Sequence, residues 1–164
     1  MITIRSAEIE DISQIQRIAR EAWLHTYKEL YSPSFIDHFL RHAYAEDSLR
    51  RSLEKDKQQE LPGFLVAELD HQLAGFAQRR QLQEGEHEIL RMYVLPRYHQ
   101  RGIGRAFLRQ YTHDLKSGVL IAWVAKENRI AIPFYEKSGF YAAEEKHEVL
   151  EGQSKTQVKY VLKL

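Results

Sequence analysis

The chain has 164 residues, 43% of them apolar, with 24 Lys and Arg against 23 Asp and Glu and a net charge of +1. That balance gives no bulk attraction to nucleic acid or to an anionic membrane, and the lack of cysteine excludes disulfides, thiolate metal sites and a cysteine nucleophile. No apolar run is long enough for a membrane span and Met1 to Arg5 lacks a signal-peptide layout, so a cytoplasmic protein with one domain over residues 1–164 is expected.

Ile2 to Arg5 reads as a first strand. Asp11 is placed to cap a helix in which Ile12, Ile15, Ile18, Ala19, Ala22 and Trp23 recur at helical spacing. Ser32-Pro33 opens a second helix with Phe35, Ile36, Phe39 and Leu40 inward. Glu46 to Gln59 reads as a charged helix with few apolar anchors, and Pro62-Gly63 breaks the chain. Phe64 to Leu69 and Leu73 to Gln81 form a strand pair around Asp70-His71, and Glu88 to Val94 is the next strand. Gly102 to Lys116 follows as a helix with Ile103, Ala106, Phe107 and Leu108 inward, ended by Ser117-Gly118. Val119 to Val124 is a buried strand and Arg129 to Ser138 a short helix. Tyr141 to Val149 and Gln157 to Leu162 would close the chain as a hairpin around Glu151-Gly152. This order argues for an α/β (α+β) fold, a mixed sheet with helices on both faces.

One junction carries chemistry. Met92-Tyr93-Val94-Leu95-Pro96 ends a strand, and Gln100-Arg101-Gly102-Ile103-Gly104-Arg105 makes a basic, glycine-bearing turn into a helix. Bare N–H groups at such a turn approach a phosphate closely, and the helix dipole favours the anion. A pyrophosphate-bearing ligand is therefore expected. The nucleotide-binding G-x-x-x-x-G-K-[ST] is absent, and G-x-G-x-x-G fails because Phe107 stands at its third glycine.

A second block runs from Asn128-Arg129-Ile130-Ala131 through Phe134-Tyr135 to Gly139-Phe140. Together the blocks resemble the GNAT superfamily of N-acetyltransferases. Glu88 to Pro96 matches its strand E-[LI]-x-R-[LIM]-Y-V-x-P, and Asn128 to Phe140 matches N-x-x-A-x-x-F-Y-x-x-x-G-F. His99 to Gly104 matches its loop, except that His99 stands where Gln or Arg is usual and Gln100 where Gly is common. The resemblance implies a mixed, mostly antiparallel central sheet flanked by helices. It also implies transfer of an acetyl group from acetyl-CoA, as cosubstrate, directly to a primary amine.

The resemblance assigns Arg101, Gly102, Ile103, Gly104 and Arg105 to the pyrophosphate, and Met92, Tyr93 and Val94 to the pantetheine arm. The side chains of Met92 and Val94 serve equally well as ordinary core. Asn128 is expected at the cofactor, and Asn is also a good helix N-cap. Tyr135 is the expected general acid, since a phenol with a pKa of about 10 is protonated at neutral pH. Glu88 is the candidate base, directly or through water, against the plainer reading of a surface strand carboxylate. Strict alternation puts Glu88 on the face of Met92 and His87 on the other. His38 and His42 have a spacing that suits a metal, but a solvated helix face is the simpler reading and no metal is expected.

The acceptor is read from charge and from a looser likeness. Glu84, Glu86 and Glu88, with Glu46 and Asp47, suggest an acidic mouth for a cationic amine. Ala22-Trp23 through Phe39, Leu73 to Phe76, and Glu88 to Val94 look similar to bacterial spermidine/spermine N-acetyltransferases. A polyamine-like or peptide amine is expected, without nucleic acid or membrane partners, and a homodimer stays open. The alternative is a non-catalytic acyl-CoA-sensing module of the same fold, which would have no need of Tyr135 as a proton donor.

Overall fold

The computed structural model describes residues 1–150 and 152–164; Glu151 of the expected hairpin turn lies outside the described residues, as does the side chain of Leu150. Among the described residues the strands are β1 (Ile2–Ser6), β2 (Phe64–Leu69), β3 (Gln72–Gln83), β4 (Glu86–Val94), β5 (Val119–Ala125), β6 (Tyr141–Leu150) and β7 (Gln153–Lys163). They form one sheet in the order β1-β2-β3-β4-β5-β7-β6. β4 and β5 run parallel, and the other neighbours are antiparallel. The helices are α1 (Ile12–Tyr27), α2 (Pro33–Ala43), α3 (Glu46–Lys57), α4 (Ile103–Leu115) and α5 (Ala131–Lys137). The expected mixed, mostly antiparallel sheet flanked by helices is the one found.

Local chemistry explains most boundaries. Ser32 Oγ accepts the Phe35 N–H at 3.1 Å with Pro33 in the first turn, as the sequence leads one to expect. Asp11 does not cap α1 with its side chain. A short 3-10 turn, Ile9–Asp11, precedes the helix, and the Asp11 carboxylate folds back to accept the Glu8 N–H at 2.8 Å and two bonds from Arg5. Asp70 and His71 both take positive φ, 52° and 67°, which gives the tight β2–β3 hairpin.

Alternation along β2 divides the interior. Phe64 and Val66, with Phe76 of β3, pack against α1, α2 and α3 through Ile15, Ile18, Ile36, Leu49 and Leu53. Leu65 and Ala67 face the other way, against Ile103, Phe107 and Leu108 of α4 and Tyr135 of α5. Each such buried side chain contributes roughly 1.5–3 kcal/mol of transfer free energy.

Two irregularities of β4 shape the centre of the sheet. Its pairing with β5 runs from Glu86↔Val119 to Ile89↔Ala122 and stops there, although both strands continue. The strands part and leave a wedge. On the opposite edge, Gln78 pairs with Arg91 and Arg79 with Ile89, so Leu90 is an extra residue in a bulge.

Candidate active site

Beyond β4 the chain makes a 3-10 turn at Pro96–Tyr98 and enters α4 through two left-handed residues, Gln100 (φ 63°) and Gly102 (φ 87°). The first bond of the α4 ladder is Ala106 N–H to Gly102 C=O at 2.9 Å, so the N–H groups of Ile103, Gly104 and Arg105 lie outside it. A Cβ on Gly102 would meet nothing within 4 Å and would stand in the open space before the helix. Ile103 is 2% exposed, so its side chain is in the core and only its main chain serves the turn. Arg101 and Arg105 are exposed, and the Arg101 guanidinium lies 5.6 Å from the Tyr98 ring. Bare donors, a positive helix end and two arginines make a cradle that fits a pyrophosphate.

Gly104 has a different task from Gly102. A Cβ there would come within 2.8 Å of the Phe134 ring, so its bare Cα lets α5 pack against the start of α4. His99 Nε2 donates to the Val94 carbonyl at 3.0 Å, tying the end of β4 to the turn. Burial, opposed by that bond and assisted by nearby His25, holds the His99 pKa below its usual value.

The wedge between β4 and β5 is a cleft of about 560 Å³. Glu88, Met92, Tyr93, Asn128 and Tyr135 all line it. Val94 and the turn Arg101 to Arg105 do not; Val94 is the last residue of β4 and the turn lies past its end. Glu84 and Glu86 are also outside the lining, because they stand where β4 is still paired with β5 or turning into it. The acidic mouth expected from the sequence thus reduces to Glu88 and, unforeseen, Glu148, facing Arg91 and Lys146.

The bulge corrects the expected facing of Glu88. Ile89 and Met92 share the α4–α5 core, whereas Tyr93 packs with the α1–α3 core. The extra residue at Leu90 shifts the alternation by one, so Glu88 belongs to the face of Tyr93 and not of Met92. Its Oε1 accepts from Arg80 Nε at 3.1 Å and Nη2 at 2.9 Å, which leaves Oε2 outside that pair.

Tyr135 is 6% exposed, edge-on to Phe134 and Phe140 and stacked on Tyr160, and its hydroxyl has no hydrogen-bond partner among the described residues. Burial, with Tyr27 nearby, raises its pKa far above the ordinary phenol value and holds the proton on oxygen. Asn128 performs the capping role: Oδ1 accepts from Ile130 N–H at 3.1 Å and Ala131 N–H at 2.9 Å. Its Nδ2 donates to Tyr27 Oη at 3.1 Å, joining α1 to the entry of α5.

The sequence reading passed over the other wall of the cleft. Trp23, Tyr27, Tyr31 and Phe39 line it, with Trp123 on β5. Trp23 lies 4.3 Å from both Tyr27 and Phe39, ring to ring. The signal was present as aromatic residues at 23, 27, 31, 35 and 39, one per helical turn. Among the described residues no three His, Asp or Glu side chains gather as a metal site requires. No helix there is long and apolar enough to cross a membrane.

Known proteins similar to this chain are acetyltransferases. The sequence model of the acetyltransferase (GNAT) family matches residues 17–140. A spermidine N(1)-acetyltransferase of Thermoplasma acidophilum is 31% identical over 142 residues, covering 85% of this chain and 88% of that one. The crystal structure of PaiA N-acetyltransferase from Thermoplasma acidophilum in complex with coenzyme A matches with a TM-score of 0.84 and 27% identity, over 100% of this chain and 99% of that one. The ribosomal-protein-S18-alanine N-acetyltransferase of Escherichia coli shares the fold, with a TM-score of 0.69 at 22% identity over 99% and 94% of the two chains.

Proposed function

The chain belongs to the GNAT family of acetyltransferases, and on that premise we propose that it moves an acetyl group from acetyl-CoA directly to a primary amine of a small molecule or peptide, a polyamine-like acceptor being favoured. The observation that carries the proposal is the β4–β5 wedge, with Tyr135, its ring buried and its hydroxyl free, on the wall and the α4 phosphate cradle beyond the end of β4.

In this reading the N–H groups of Gly102, Ile103 and Gly104, with Arg101 and Arg105, hold the pyrophosphate. The main chain of Met92, Tyr93 and Val94, unpaired on the β5 side, receives the pantetheine arm and can polarise the thioester carbonyl. Asn128 fixes the entry of α5 and thereby Tyr135. The amine arrives charged, with a pKa of about 10, and must lose a proton before attack. Glu88 accepts that proton through water, from the face of the strand that bears the aromatic wall. Tyr135 protonates the departing thiolate. Transfer is direct, because no cysteine is present to carry the acetyl group. The polyamine preference draws on the spermidine relative and on the ring faces of Trp23, Tyr27 and Tyr31, which attract ammonium groups.

The test is release of free CoA from acetyl-CoA across spermidine, spermine, amino acids, aminoglycosides and N-terminal peptides. Turnover of one class is expected, with kcat lower by roughly 10²- to 10⁴-fold in Tyr135→Phe and the KM for acetyl-CoA nearly unchanged. A thermal shift by acetyl-CoA without turnover of any amine would replace the enzyme by a sensor.

A further inference from the structure

We infer that Lys146 is a site of self-acetylation: with no other acceptor in the cleft, the chain transfers an acetyl group to the Nζ of its own Lys146. The inference rests on the acetyl transfer proposed above and adds a modification site on the protein itself.

Among the lysines of the described residues, Lys146 alone lines the cleft. It sits on β6, paired with Gln157 of β7, which pairs in turn with Ala125 of β5. Its backbone is therefore two strand spacings from β5, roughly 10 Å. Its Nζ nevertheless lies 4.3 Å from the centre of the Trp123 ring on β5. Trp123 is the first residue of β5 beyond the last β4–β5 pair, Ile89↔Ala122. The side chain has thus turned toward β5, against the ring of the residue that follows the last β4–β5 pair.

The facing is also that of an acceptor. Glu88 pairs with Ile121, and Trp123 follows by alternation on the same face. The cross-strand neighbours Ala125, Gln157 and Lys146 continue that face. Lys146 approaches from the side of Glu88 and the aromatic wall, opposite to Met92. Its side chain is 45% exposed and keeps the freedom to turn into the wedge. The Glu148 carboxylate stands 4.0 Å from its Nζ. Two other lysines of the hairpin are held by neighbours: Lys155 donates to the Leu30 carbonyl at 3.3 Å, with its Nζ 4.4 Å from the Tyr31 ring centre, and Lys159 pairs with Glu144 at 3.7 Å.

The chemistry closes without a further reagent. The Lys146 ammonium gives a proton to Glu148 and thence to solvent. Its nitrogen lone pair forms the new C–N bond at the acetyl carbonyl carbon. The nitrogen then gives up its second proton to solvent, the C–S bond breaks, and the sulfur takes its proton from Tyr135, which is reprotonated from solvent. Lysine and acetyl-CoA become N-acetyllysine and CoA.

The purified full chain is incubated with acetyl-CoA and no added amine, then followed by intact mass and peptide mapping. One acetyl group per chain at Lys146 is expected, at a per-chain rate independent of protein concentration. Lys146→Arg abolishes it, Lys155→Arg leaves it unchanged, and Tyr135→Phe slows it by about 100-fold or more. Acetyl groups spread over several lysines at a rate indifferent to Tyr135→Phe would overturn the inference. So would an unmodified Lys146 in a chain that turns over added amines, which leaves the acetyltransferase reading intact. Neither CoA release with any amine nor acetyl on the chain would overturn both.

Discussion

At the scale of single residues, the turn into α4 holds one of its two departures from the family pattern, Gln100, in a strained place. Gln100 has φ 63°, a left-handed conformation that costs a residue with a Cβ about 1 kcal/mol or more. The family resemblance implies only that glycine is common at this position; the dihedral gives the reason. Gln100→Gly is expected to stabilise the fold by about 1 kcal/mol, read as a higher urea midpoint at unchanged m. A lower midpoint would mean that the Gln100 side chain contributes more than its backbone costs. Other single-residue readings depended on neighbours that a sequence does not display. Asp11 has the composition of a cap, yet Arg5 and the preceding turn claim its carboxylate. Asn128 was legible as a cap, whereas its bond to Tyr27 across the interior was not.

At the scale of elements, β3 and β4 carry a buried pair of bases under α4. Arg79 is 1% exposed; its Nη1 donates to His87 Nδ1 at 3.0 Å, its Nη2 donates to the Leu61 carbonyl, and it lies over the Tyr111 ring. Asp56 and Asp114 are the nearby acids. Arginine only donates, so His87 must accept at Nδ1 and is neutral in the fold. Burial, and then the charge of Arg79, lower its pKa below the usual value. The unfolded chain therefore takes up the proton first, near pH 6.5. Stability is complete above that pH and falls as the pH drops, by at most about 1.4 kcal/mol per unit, until the folded histidine itself is protonated. His87→Asn, which keeps an acceptor, should flatten this part of the profile in urea titrations between pH 7.5 and 5. An equally steep decline would assign it to other groups, His99 first. Element identities followed from periodicity and turn chemistry, and most observed boundaries fall within a few residues of the reading. The bulge at Leu90 did not, because Ile89 and Leu90 are both apolar and the sequence does not say at which of them the alternation slips.

At the scale of the whole molecule, two packed halves meet across a sheet that is open at its centre. The strand edge from Leu90 to Val94 has no partner on the β5 side, so a bound pantetheine arm would complete the sheet. Saturating acetyl-CoA is expected to slow amide hydrogen exchange in β4 beyond Ile89 and in the first turn of α4, with little change in β1 and β2. At a hundredfold excess over Kd it should add about 2.7 kcal/mol of stability. Protection confined to α4 would limit the proposed contact to the phosphates. The fold was legible because each element carries its own local signature. The cleft wall was not, because it is assembled from α1, α2, β5 and β6, and its charge is set by which carboxylates those elements leave facing inward. The meeting of Gly104 with Phe134 has a last consequence, one of heredity more than of mechanism. Even the smallest side chain has no room at 104, because the ring of Phe134 occupies the place of an alanine methyl. The two positions form an epistatic pair: Gly104→Ala should be damaging alone and tolerated beside Phe134→Leu, with a coupling of about 1 kcal/mol in a double-mutant cycle.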